Sequence, residues 1–277
     1  MSPTQRTLLR SCTGCCSGRH LELILVSPDS SYTSERFRTL LLRRLRLPLQ
    51  VAASHCNGRS CRQALDTLGD HRTACSRAGR LVKRGSPVER MWARVCREGG
   101  ARVQTNVFVR DLNLPGTRAQ DGRRIEVIAN GLPMYHGAQV AIDATIVSPV
   151  RADGQPIDGA DTHDGAALRV ARGRKFRQYR ELTQSRRCKL LVAGVEVGGR
   201  WDKAAYTFLL QLAKTKARGA PHVLRQALTA SWLRRWTGMI AYSVHDAYAA
   251  SLVDEVPVET VGTDGPPPAL GDVLLSA

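Results

Sequence analysis

The stretch Gln139-Val140-Ala141-Ile142-Asp143-Ala144-Thr145-Ile146-Val147 decides the fold, because it is an apolar strand that carries one acid. Strands rich in Val, Ile and Thr lie inside sheets. A carboxylate is unusual in such a place, since a buried charge is costly unless it is paired or binds a cation. The stretch therefore predicts both the centre of a sheet and a candidate functional residue, Asp143.

Further strands are expected on either side of this one. Alternating apolar and polar residues predict strands at 103–109 and 123–129, and an apolar segment at 189–197 predicts a buried strand. Helices are expected from 34 to the turn before Pro48, and at 86–98, 166–184, 202–216 and 221–253, the last with a break near Gly238. The predicted fold class is α/β, a mixed sheet flanked by helices and followed by a helical C-terminal region.

The start of one of these helices is marked by a capping pattern. Ser86 is the expected cap, Pro87 the first helical residue and Glu89 the reciprocal partner, and Gly99-Gly100 ends the helix. The pattern assigns Glu89 a local structural role.

Three cysteines and a histidine have the spacing of a small metal site. The ligand pairs are Cys56 with Cys61, and His71 with Cys75 one helical turn later. Zinc takes four such ligands in a tetrahedron, and short loops bring the pairs together. The spacing predicts a zinc knuckle, with His55 as a substitute ligand. The alternative is four reduced side chains without metal.

A second acid, Glu126, lies in the strand before Asp143. If the loop between the two strands is symmetric, with Asn130 facing Gln139, then Glu126 lies directly across from Asp143. Two carboxylates that close repel each other unless a cation lies between them, and Mg²⁺ suits the place because it keeps water and phosphate ligands. The alternative is a solvated Glu126, with Asp143 neutralised by an arginine of a facing element.

The chain is strongly basic, with 41 Lys and Arg against 24 Asp and Glu in 277 residues and a formal charge of +17. A field of this sign attracts polyanions. The densest run of cations lies at 168–189, where Glu181 is the single acid. The predicted nucleic-acid contacts are Arg169, Arg172, Arg174, Arg177 and Arg180. A solvated helix face, or an Arg-rich composition without a binding role, is the alternative.

Eight cysteines and the lack of a signal-peptide pattern after Met1 favour an intracellular, reducing compartment. For a DNA-binding protein we expect the nucleus. No stretch is long enough to cross a bilayer, so no membrane partner is expected. Residues 1–33 are expected to be a disordered leader, in which Cys12, Cys15 and His20 lack a clear fourth metal ligand. Residues 256–277 are expected to be a disordered tail. The oligomeric state is not indicated.

The order of several short motifs is also informative. An Arg-rich helix ends in Leu47-Pro48-Leu49, Gly69-Asp70-His71 follows, then the acidic strand through Pro149, a basic helix, and Val195 to Trp201. Over about residues 34–250 this order resembles the C-terminal part of non-LTR retrotransposon polyproteins. The resemblance implies a zinc knuckle followed by a restriction-like endonuclease of the PD-(D/E)XK type, downstream of a reverse transcriptase.

The resemblance implies roles for individual residues. Glu126 matches the first acid of the family motif, where the family usually has Pro-Asp, and Asp143 matches the second. The motif's lysine is replaced by Thr145. In looser members this lysine comes from the next helix, which makes Lys175 the candidate, to hold the attacking water or to stabilise charge on the phosphate. Glu196 is expected as a further ligand of the catalytic Mg²⁺.

The sequence thus predicts a retroelement-derived, metal-dependent DNA endonuclease that hydrolyses phosphodiester bonds, either active or degenerate, with a reverse transcriptase encoded upstream as a partner. The competing function is a non-catalytic, zinc-stabilised nucleic-acid-binding protein, and a third is a protein–protein module. RNA is a candidate ligand beside DNA. The expected domains are the basic helix and knuckle at 34–80, the endonuclease-like domain at 81–218 and a helical extension at 219–255.

Overall fold

The centre of the fold is a four-stranded mixed sheet with helices packed around it, as the sequence predicts. A computed structural model of the chain describes residues 1–22, 31–49, 55–58 and 60–253, and positions 269, 271 and 273. The strands, in their order across the sheet, are β1 Arg102–Phe108, β2 Arg124–Asn130, β3 Gln139–Val147 and β4 Cys188–Glu196.

Eight α-helices lie in the described part of the chain. They are α1 Pro3–Ser11, α2 Ser34–Leu45, α3 Asp70–Ala74, α4 Arg80–Glu98, α5 Ala166–Gln178, α6 Arg180–Gln184, α7 Lys203–Ala217 and α8 Arg225–Leu252. The predicted helix at 166–184 is divided at Tyr179, whose φ of −120° is not helical. None of the described helices combines the length and the hydropathy that a bilayer span requires.

The connection between β3 and β4 determines how the layers are arranged. β1, β2 and β3 are antiparallel neighbours, whereas β4 runs parallel to β3 along its whole length. Parallel neighbours need a crossover, which here is made by α5 and α6. Gly194 allows α5 to approach β4 closely, since a Cβ there would lie 2.9 Å from Leu168 Cδ2.

The main apolar core joins the sheet to α4, α7 and α8. Trp92, Phe208 and Trp236, one from each helix, are buried with Val127 and Ile142 of the sheet. A second, smaller cluster packs α6 against β2 and β4, with Leu182 buried among their side chains. α8, in the predicted helical extension, contributes to the main core, and the predicted break near Gly238 is wrong because the helix is continuous.

The capping pattern at Ser86 did not predict the helix start correctly. α4 begins at Arg80, Pro87 lies inside it, and Ser86 Oγ accepts a hydrogen bond from the Arg90 guanidinium at 2.8 Å. The extra turns are held by tertiary contacts, because the buried Arg84 donates to Ser251 Oγ at 2.6 Å and to Thr73 O at 2.8 Å. Glu89 is therefore not a capping residue.

Residues 1–22 differ from the expected disordered leader. Ser2 caps α1, and Arg10 donates to the Asp164 carboxylate at 2.8 Å. The backbone N–H of Arg200 donates to Ser11 O at 3.0 Å, so the helix is fixed to the end of the sheet by complementary charge and by backbone pairing. The predicted tail at 256–277 lies outside the described residues except at 269, 271 and 273.

The last turns of α8 hold the basic helix α2 in place. The Asp246 carboxylate accepts two hydrogen bonds of 2.9 Å from the buried Arg36 guanidinium. Tyr248 Oη accepts one of 2.9 Å from Nε of Arg43, which is also buried. Two arginines of α2 are thus interior residues.

Asp246→Ala is expected to lower the free energy of unfolding by about 3–5 kcal/mol, because it leaves a buried guanidinium without its carboxylate. Urea unfolding followed by tryptophan fluorescence measures the change. Asp158→Ala is the matched control, since Asp158 pairs with Arg151 but is 93% exposed. Equal stability of the two variants would contradict the structural role of the buried pair.

Candidate active site and metal centre

The four side chains of the predicted knuckle converge on one point. The ligand atoms of Cys56, Cys61, His71 and Cys75 lie within 4.8 Å of one another. Cys56 Sγ and Cys75 Sγ are 3.8 Å apart, and Cys61 Sγ is 3.3 Å from His71 Nε2. Two thiolates bound tetrahedrally to one zinc ion are separated by about 3.8 Å. The cluster can hold a structural metal such as zinc, and the alternative ligand His55 is not part of it.

The loop before α3 positions one of these ligands. The Asp66 carboxylate accepts the backbone N–H groups of Asp70 at 2.9 Å and His71 at 2.7 Å, which satisfies the first donors of the short helix. Asp70 in turn accepts hydrogen bonds from Arg43 at 3.0 Å and from Arg46 at 2.6 Å. The knuckle is thus joined to α2 by ion pairs.

Purified protein is expected to carry close to one equivalent of zinc, measured by atomic emission. Cys56→Ser and Cys75→Ser should lose the metal and lower the unfolding temperature, since a structural site contributes its binding energy to folding. Cys15→Ser changes an exposed thiol outside the cluster and should leave the zinc content unchanged. Metal-free protein of unchanged stability would contradict the assignment.

The predicted register of the hairpin that carries the two acids is confirmed. Val127 pairs with Ile142 and Ala129 with Val140, and the next step along this register brings Glu126 beside Asp143. A side chain also joins the two strands, since Glu126 Oε2 accepts a hydrogen bond from the backbone N–H of Ala144 at 3.2 Å. The sheet itself therefore positions both carboxylates.

Lys175 of α5 completes the group. Its Nζ lies 2.7 Å from Asp143 Oδ2, and Asp143 is fully buried. The crossover explains this contact, since α5 lies over β3 and β4 on its way between them. The sequence-based alternative, in which an arginine neutralises Asp143, is wrong, because the direct partner is a lysine.

The other oxygen of Asp143 has no hydrogen-bond partner among the described residues. Burial raises the pKa of Asp143 above its ordinary value, although Lys175 opposes the shift. Burial first, and then the neighbouring Asp143, raise the pKa of Glu126 to about 8. An unsatisfied carboxylate oxygen beside an acid of raised pKa marks an unusual site, since buried polar atoms are normally paired.

Glu89 of α4 is a third acid of this group, which the sequence reasoning missed. Burial and the charge of Asp143 raise its pKa, while Arg90 and Lys175 lower it. It also contributes to the raised pKa of Glu126. The signal in the sequence was an acid next to the buried Val88 on the inward side of an amphipathic helix, but the capping pattern offered a simpler explanation.

Glu196 does not join the group. Asp143 pairs with Val192, so Glu196 lies about 13 Å further along β4. Its surroundings are those of the docked α1: burial raises its pKa, and a hydrogen bond with Ser11 and the charge of Arg200 lower it. The proposed role of Glu196 as a ligand of the same ion is not supported by this placement.

The arginines of α5 and α6 divide into two groups. Arg169 donates to Asp164 O at 2.8 Å, and Arg172 lies 3.7 Å from Asp202. The remaining predicted contacts, Arg174, Arg177 and Arg180, are exposed. No acid within the described residues forms an ion pair with any of these three, which we call the cationic face of α5 and α6. The charge of Arg174 lowers the pKa of Asp143, which indicates that this arginine lies near the acids.

Comparison with known proteins found no match for this chain. No protein-family model matches the chain, and no curated protein matches it. The chain brings together a cluster of sulfur and nitrogen ligands and, at another place, three carboxylates and a lysine, of which Asp143 is fully buried.

The raised pKa of Glu126 predicts a pH-dependent stability. Between about pH 4.5 and 8 the unfolded chain releases this proton while the folded protein keeps it, so the free energy of unfolding falls as the pH rises. Glu126→Gln has no ionisable group at this position, so its free energy of unfolding should not fall in this way. Without divalent metal at pH 8 the variant should be more stable than wild type by on the order of 2 kcal/mol. Urea unfolding at pH 5 and pH 8 measures the difference. A difference that does not depend on pH would contradict the assignment.

Proposed function

We propose that this protein is a metal-dependent endonuclease of the restriction-like class, which hydrolyses phosphodiester bonds in DNA. The observation that carries the proposal is the meeting of Glu126 and Asp143 on neighbouring strands with Lys175, at 2.7 Å from Asp143, on the crossover helix. Paired carboxylates with an adjacent lysine are suited to phosphoryl transfer, since they combine a cation site with a positive group for the charge that develops on phosphate.

The residues present fit a hard divalent cation such as Mg²⁺. Asp143 Oδ1 is buried and has no partner among the described residues, so it has a free ligand position. Glu126 and Glu89 would supply the other carboxylate oxygens, since both respond to the charge of Asp143. Mg²⁺, when bound, polarises a phosphate oxygen and lowers the pKa of a water molecule.

The side chains have separate roles in this proposal. Asp143 and Glu126 bind the cation, and Ala144 N–H fixes the orientation of the Glu126 carboxylate. Lys175 stabilises negative charge on the phosphate or orients the attacking water. Its contact with Asp143 holds the ammonium group next to the place where the substrate would bind.

The DNA backbone would follow the cationic face of α5 and α6. Arg174, Arg177 and Arg180 are exposed, and phosphate contacts of this kind give affinity without sequence preference. The zinc knuckle would help to seat the DNA, and a reverse transcriptase encoded upstream would supply the polymerase. Under this proposal the protein acts in the nucleus.

A plasmid-nicking assay tests the activity directly. Wild-type protein with Mg²⁺ should convert supercoiled to open-circular plasmid, and Asp143→Asn and Lys175→Met should each slow nicking by about 10²-fold or more, because they remove cation binding or charge stabilisation. Asp158→Asn, an exposed acid outside the site, is the control. Equal nicking by wild type and Asp143→Asn would refute the assignment.

A non-catalytic nucleic-acid-binding protein is the second candidate function. The contact between Lys175 and Asp143 favours it, since the lysine partly satisfies the buried acid without a metal ion. This function requires DNA affinity that falls steeply with salt, and no nicking in the presence of Mg²⁺. Fluorescence anisotropy at several salt concentrations measures the affinity, and the nicking assay separates the two functions.

A further inference from the structure

An open apolar groove of about 660 Å³ lies between α1 and α2, apart from the acids and the metal cluster. Each helix lines it with one face, at helical spacing. The apolar side chains in its walls include Leu8 and Leu9 from α1, Phe37, Leu41 and Leu45 from α2, and Met1 and Leu21 outside these helices. The proposed nuclease activity requires none of them.

The walls of this groove are unusually exposed. Six of the thirteen exposed large hydrophobic side chains that the structure describes line this one groove. The reason lies in α2, which turns Arg36 and Arg43 towards α8 and leaves Phe37, Leu41 and Leu45 outside. Contiguous exposed apolar surface of this kind is typical of a binding site.

The polar groups of the groove define what can bind there. Among the residues that the structure describes, its lining contains arginines but no Asp or Glu. Arg43 and Arg46 are paired with Asp70, whereas Arg44 has no acidic partner within the described residues. An occupant that brings a carboxylate to Arg44 is therefore favoured, and a second copy of a chain with a charge of +17 is disfavoured.

His20 adds an aromatic ring to the lining of the groove. It lines the groove, is 7% exposed and stacks on His245 with a centroid distance of 3.7 Å. Its Nδ1 has no hydrogen-bond partner in the described part of the chain.

We propose that this groove binds an acidic amphipathic helix of a partner protein. The stripe of Phe37, Leu41 and Leu45 is about 12 Å long, which matches two turns of a docked helix. The apolar side of the helix packs on this stripe, and an Asp or Glu at its edge pairs with Arg44.

Selection from a displayed library of helical peptides tests the proposal with the full-length chain. Wild-type protein is the target, and Leu41→Asp is used for counter-selection, because it keeps the overall positive charge but disrupts the stripe. Sequences with apolar residues at helical spacing and acids on one edge should be enriched. No enrichment, or enrichment of sequences that bind Leu41→Asp equally well, overturns the proposal.

The affinity of the best selected peptide, measured by fluorescence anisotropy, gives the second readout. Phe37→Ser and Arg44→Glu should each weaken binding by about tenfold or more, and a peptide with its acids changed to lysine should recover affinity for Arg44→Glu. Val223→Ser, an 84% exposed apolar residue that does not line the groove, should change nothing. Equal loss in all three variants overturns the proposal, as does a dimer of the free chain that Leu41→Asp dissociates.

Discussion

The parallel ladder between β3 and β4 is the interaction on which the rest of the structure depends. Nine consecutive residue pairs join the two strands, so their relative position is fixed over the whole length of β3. Two strands in the same direction cannot be joined by a tight turn, and the chain must return across the sheet. That return is α5, which brings Lys175 to Asp143. The same backbone pairing that builds the core thus also assembles the candidate site.

The second constraint is the burial of arginine. Buried, paired arginines count toward the net charge but do not form a cationic surface. Asp70, Glu98 and Asp246 are buried acids, and each accepts hydrogen bonds from one or more arginines. Arg is suited to such places because its guanidinium binds carboxylates through several donors at once. Much of the basic character of α2 therefore stabilises the interior. The cations of α5 and α6 differ, since Arg174, Arg177 and Arg180 have no such acidic partners among the described residues.

The strands and the metal cluster could be predicted because their signals are local. Alternation in β2 and the apolar run of β3 gave the strand positions, and a symmetric loop gave the register that sets Glu126 beside Asp143. Cys56 and His71 each lie only a few residues from the next ligand in the sequence, and such short spacings allow few arrangements of the four side chains. The missed features depend on distant contacts: α4 extends to Arg80 because Arg84 binds residues of α3 and α8, and α1 forms against Asp164 and Arg200. No local pattern encodes these contacts. The place of Glu89 among the acids was missed because a capping pattern offered a plausible local explanation for this residue.

The continuity of α8 has a consequence for how the protein can be divided. This 28-residue helix is about 42 Å long; near its middle Trp236 donates to Glu98 of α4, and its last turns contact Thr73 and Arg72, beside the cysteine cluster. A chain truncated at residue 218 would lose one wall of the main core and the support of the knuckle together. The segments before residue 80 and after residue 218 thus share α8 as a common support.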